Sequence, residues 1–141
     1  MRCNLSLKFS SYTHNLAYFK CKHLQVVVDT LMDLKKAHDS KIDILPENQQ
    51  EEHSKKFLVE EGSKFLVNIE KLITQYGDGK GHSVGNSLTW PDLYIFDVMT
   101  RFPVKLATFI DKYPHINKVV KETEAHPHVA AWLKKRPVTK W

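Results

Sequence analysis

Eight histidines, two cysteines and one hexapeptide at a helix start are the places where chemistry could be built in this 141-residue chain. Zinc hydrolases hold their metal with two histidines one helical turn apart beside an acid. No histidine pair here has that pattern. His126 and His128 flank Pro127, while His14, His23, His38, His53, His82 and His115 are scattered, so surface imidazoles are expected and no metal site. Cys3 and Cys21 match neither a disulfide framework nor a zinc spacing and read as reduced thiols. The hexapeptide Leu88-Thr89-Trp90-Pro91-Asp92-Leu93 superimposes several helix-start signals. Thr89 is a good N-cap, its hydroxyl expected to accept from the amide three residues on. Asp92 can reach back to the Thr89 amide as a capping box, and Leu88 and Leu93 are spaced to clamp across the turn. Pro91 removes an amide that would have no helical partner. This motif stabilises; it does not catalyse.

Long helices must position these residues. Glycine is scarce, and Gly77, Gly79, Gly81 and Gly85 crowd into one loop. A first helix over residues 22–38 places Leu24, Val27, Val28, Leu31 and Leu34 on one stripe at steps of three and four. Pro46 ends the connection that follows. A second helix over residues 47–76 opens on Glu47, Glu51 and Glu52, as the positive end of a helix dipole prefers. It carries Leu58, Phe65, Leu66, Ile69, Leu72, Ile73 and Tyr76 at helical spacing. Gly62 is expected to mark a close approach or a weak point, and Gly77 to close the helix in the left-handed conformation. A third helix spans residues 89–101, and shorter ones cover residues 105–112, 114–125 and 127–135, punctuated by Pro103, Pro114, Pro127 and Pro137. Strand signals are almost absent. The expected fold is all-α, a bundle of five or six helices.

Three segments carry a family resemblance. The run from Val84 through Leu93 resembles the glutathione transferase segment that opens the buried central helix of the C-terminal domain. The ending Ala125-His126-Pro127-His128-Val129-Ala130-Ala131-Trp132-Leu133-Lys134-Lys135-Arg136-Pro137-Val138-Thr139-Lys140-Trp141 is similar to the sigma-class ending, a short helix followed by Arg-Pro-x-Thr. Val28-Asp29-Thr30-Leu31-Met32-Asp33-Leu34 is similar to the first helix of that domain. The resemblance covers residues 22–141 and leaves residues 1–21 as an unmatched segment.

It implies a glutathione transferase C-terminal-like helical domain that supplies the electrophile-site wall and dimer contacts. In whole members a thioredoxin-like domain activates the glutathione thiolate, with glutathione as co-substrate and no metal or other cofactor. Catalytic residues belong to that first domain, so none is expected here, and Tyr12 and Tyr18 lack the strand-and-turn scaffold that would orient a donor. Position by position, Asp33 matches an acid that reaches glutathione across the dimer, and Tyr94 and Trp141 match residues lining the electrophile pocket. Lys35 stands where vertebrate members carry an apolar pocket residue, and Met32 where they carry an acid tied to a divalent-cation effect. The implied partners are a second copy or a thioredoxin-like domain, with glutathione and small electrophiles as ligands. The alternative is a non-catalytic helical interaction or structural module.

Charge and hydropathy narrow the classes further. The net charge of +5 is concentrated at Lys35-Lys36 and at Lys134, Lys135, Arg136 and Lys140, which read as solvated helix ends rather than a nucleic-acid groove. No stretch approaches the roughly 20 apolar residues of a membrane span. Lys8, Ser10, Ser11 and His14 break every candidate secretory core near the start, so a cytoplasmic protein is expected.

Overall fold

The computed structural model describes residues 11–101 and 107–137, with side chains in residues 20–101 and 109–137. Its elements are α1 (Ser11–Ile42), α2 (Glu47–Phe57), a π-helical turn (Leu58–Gly62), α3 (Ser63–Tyr76), α4 (Trp90–Arg101), α5 (Ala107–Ile110), α6 (Pro114–Ala125) and α7 (Pro127–Lys135). Strands are absent among the described residues; one parallel bridge pairs Gly77 with Gly85.

The apolar stripe of α1 is buried as its spacing requires: Val27, Val28, Leu31 and Leu34 are each at most 3% exposed. The helix itself begins at Ser11, so the expected boundary at residue 22 falls inside a continuous helix. No proline or glycine occurs between Ser11 and Ile42 to interrupt it. Around α1 the core gathers Leu66, Ile69 and Ile73 from α3, Ile95 and Val98 from α4, and Ile116 and Val119 from α6. Burying each such side chain is worth about 1.5–3 kcal/mol relative to exposure. Helix α4 packs against both α1 and α6.

Two local expectations are corrected. The second helix is not uniformly α-helical. It takes in the π turn at Leu58–Gly62, and a Cβ on Gly62 would meet Leu58 Cδ2 of the same helix at 3.1 Å, so crowding within one helix marks that position. Gly77 closes α3 with φ −85° and ψ 174°, an extended rather than left-handed conformation. Glycine is needed there for a different reason: a Cβ would stand 2.2 Å from the His82 carbonyl oxygen, where the loop folds back on the helix end.

Candidate functional site

The loop 77–89 and the start of α4 are organised by one carboxylate. Asp92 is fully buried and accepts from the Ser83 amide at 2.7 Å through Oδ1. Its Oδ2 accepts from the Thr89 amide at 2.7 Å and from the Thr89 hydroxyl at 2.9 Å. The reach from Asp92 back to Thr89 is therefore as expected, but the Thr89 hydroxyl donates to the carboxylate instead of accepting from an amide. The first turn closes through the Thr89 carbonyl, which receives the Asp92 amide at 3.1 Å. The expected apolar clamp is open to solvent on one side, since Leu93 is 42% exposed and Leu88 half-buried.

That cap fixes the rotation of α4 and with it Tyr94, which is half-buried against the core. On α1 the Lys35 ammonium is held above its ordinary value by its hydrogen bond to Asp39, which outweighs partial burial, and Tyr94 adds a smaller push in the same direction. Helices α1 and α4 pack against each other. Asp33 lies exposed on α1. Trp141, and the tyrosines Tyr12 and Tyr18, lie outside the residues whose side chains are described. Of the three candidates, Asp33 is exposed on α1 and Tyr94 is half-buried on α4.

Sequence reasoning missed two polar ties. Glu70 on α3 accepts from the amides of His115 at 2.8 Å and Ile116 at 2.9 Å, one oxygen to each, and so caps α6 from another helix. Tyr113 beside it has its phenol pushed up by burial and by the Glu70 charge. Pro114 at the start of α6 signals the helix, but nothing local names a partner 45 residues away.

The second tie joins α1 to α2. His38 Nε2 lies 2.7 Å from Ser54 Oγ, and its Nδ1 lies 3.2 Å from Asp39 Oδ1. The order Ser–His–Asp imitates a nucleophilic relay, but Ser54 is 0% exposed, so its hydroxyl cannot meet a substrate. It is a buried polar clasp. Asp39 is held below the ordinary carboxylate range: burial raises it, and the hydrogen bonds from Lys35 and His38 overcome that. Among the described residues no group of three His, Cys, Asp or Glu side chains could hold a metal ion, and no helix is long and apolar enough to cross a membrane.

Residues 27–136 match the family model described as the C-terminal domain of glutathione S-transferase. The chain belongs to the glutathione S-transferase family. It is 32% identical over 120 residues to glutathione S-transferase S1 of Drosophila melanogaster, covering 82% of this chain and 46% of that protein. It is 28% identical over 119 residues to human hematopoietic prostaglandin D synthase, covering 84% of this chain and 56% of that one. Among solved structures, rat hPGDS complexed with a quinoline superimposes with a TM-score of 0.68 at 26% identity, covering 87% of this chain and 59% of that chain. The transferase-family chain thus spans about half the length of the curated relatives it matches. The all-helical bundle expected from its periodicity is the fold found.

Proposed function

We propose that this chain is the electrophile-site half of a sigma-class glutathione transferase, one that works with a thioredoxin-like half to conjugate the glutathione thiolate to small electrophiles in the cytoplasm. The observation that carries this reading is the position of Tyr94. It is half-buried on α4, two residues past the carboxylate that fixes the helix start, within a region matching the transferase family over residues 27–136. In this reading Tyr94, Lys35 and Trp141 form the wall against which the electrophile lies. Asp33, exposed on α1, reaches the glutathione bound by a partner copy in a homodimer.

The family match spans the helical domain alone, so the conjugation rate of these residues by themselves should be residual. The test is retention on glutathione-agarose and turnover of chlorodinitrobenzene, measured for the chain alone and with the thioredoxin-like half of a sigma-class relative added. The reading expects added turnover in the mixture, reduced by Tyr94→Ala and by Asp33→Asn. A mixture no faster than the relative's half alone would contradict it. It would favour the alternative of a non-catalytic interaction module, which draws support from the exposure of Trp90 at 50% and Leu93 at 42% on the same helix start.

A further inference from the structure

The loop 77–89 contains two dipeptides whose chemistry allows self-modification, Asp78-Gly79 and Asn86-Ser87. In each, the backbone nitrogen of the second residue can attack the side-chain carbonyl carbon of the first. At Asp78-Gly79 a bond forms between the Gly79 nitrogen and Asp78 Cγ. One carboxyl oxygen leaves as water, taking the amide proton and a proton from solvent, and a cyclic succinimide remains. Water then opens that ring at either carbonyl. One opening gives back aspartate; the other gives isoaspartate, in which the main chain runs through the side chain. At Asn86-Ser87 the same closure expels ammonia. Neither reaction needs an oxidant or a reductant.

Glycine is the most reactive second residue for this closure, because no side chain obstructs its own nitrogen. The loop cannot avoid it at position 79. Gly79 has φ +71°, where a residue with a Cβ would be strained even though nothing stands within 4 Å of that Cβ. The structure holds the electrophile instead. Asp78 Oδ1 accepts from the Lys80 amide at 2.8 Å and from the His82 amide at 3.3 Å. Its Oδ2 lies 2.8 Å from His82 Nδ1, and the two side chains are only 15% and 25% exposed. The Gly79 carbonyl is gripped as well, by the Lys118 ammonium of α6 at 2.6 Å. Asn86 and Ser87 are both exposed, and among the described residues nothing is hydrogen-bonded to the Asn86 side chain.

Ring closure at Asp78 must turn Cγ toward the Gly79 nitrogen and release an oxygen, so it must break the contacts that hold both oxygens. From this we infer that Asp78-Gly79 is a latent isoaspartate site locked by His82, whereas Asn86-Ser87 in the same loop is open to deamidation. The lock protects the packing around it. The extra main-chain carbon of isoaspartate would enter beside Gly77, where a Cβ would already stand 2.2 Å from the His82 carbonyl oxygen. It would also displace Ser83, whose amide Asp92 holds at the start of α4. Nothing in this rests on the transferase reading of the chain.

The test is prolonged incubation of the full chain at neutral pH, followed by peptide mapping with mass spectrometry. The mapping reads succinimide and isoaspartate at position 78 and deamidation at position 86. A synthetic peptide of residues 74–90 gives the unrestrained rate at each site. In the wild-type chain Asp78 should convert at least about tenfold more slowly than in the peptide, the weight of one hydrogen bond to a charged group. Asn86 should be slowed far less. His82→Ala should return about that factor at Asp78 and leave the Asn86 rate unchanged. Four results would overturn the lock: wild-type Asp78 converting at its peptide rate, both sites slowed by the same factor, Asp78 staying slow in His82→Ala, or that variant speeding both sites alike, which is loosening of the whole loop.

Discussion

Helices α4 and α6 begin in the same way and are specified in different ways. Each start has its free amides satisfied by a carboxylate. At α4 the acid is Asp92, three residues from the amide it caps. At α6 it is Glu70, on a helix packed alongside, 45 and 46 residues from the amides it takes. The electrostatics are alike, since a negative charge at the positive end of a helix dipole accepts from donors that lack helical partners. The difference is burial and reach. Asp92 is 0% exposed and also holds the Ser83 amide, so it ties the loop to the helix, whereas Glu70 is half-buried and ties one helix to another.

The comparison can be broken first at Asp92. Replacing it with Ala strands the buried Ser83 amide and the half-buried Thr89 amide, and the loss of a charged acceptor together with unsatisfied donors should cost about 3–4 kcal/mol in a urea melt. Asp92→Asn keeps only one accepting oxygen and should fall roughly midway. An unchanged midpoint for the alanine variant would show that the loop finds other partners. At Glu70 the alanine variant should cost less, about 2 kcal/mol, because water can reach the freed amides. Hydrogen exchange separates the two sites: protection should drop at His115 and Ile116 for the Glu70 variant, and at Ser83 and Thr89 for the Asp92 variant.

The His38–Ser54 clasp is the third test. Ser54→Ala leaves a buried imidazole nitrogen without its partner and should cost about 1–2 kcal/mol. Pairing it with His38→Leu should cost less than the two single changes added together, as expected for groups in direct contact. Additive losses would mean that the 2.7 Å contact contributes little.

Asp78 should give the smallest effect. Its carboxyl is held at about 2 against an ordinary 3.8; burial pushes it up, but the His82 ring and the amides of Lys80 and His82 outweigh that. A depressed folded value means that the stabilisation is present above the unfolded value and disappears as pH falls through the folded one. Asp78→Asn should therefore be less stable than the wild-type chain at neutral pH, with the gap closing between about pH 4 and about pH 2. A gap that stays constant across that window would assign the effect to packing alone.

What could be read from residues alone was whatever repeats or caps locally. The stripes of α1 and α3 followed from steps of three and four, and α6 and α7 followed from Pro114 and Pro127 at their first positions. The Asp92–Thr89 pair followed from its spacing. Local spacing failed where crowding decided the backbone. Gly77 is glycine because the His82 carbonyl crosses it, and the π turn at Leu58–Gly62 leaves no mark in the hydrophobic period.

By itself, then, the sequence determined the helical class and the start of α4, because both depend on interactions within one or two turns. Only the tertiary structure decided that Glu70 caps α6 and that His38 meets Ser54. The reason is physical. A carboxylate, an imidazole or a lysine is chemically the same wherever it stands in the chain, and which donor or charge it meets is set by how the apolar stripes pack.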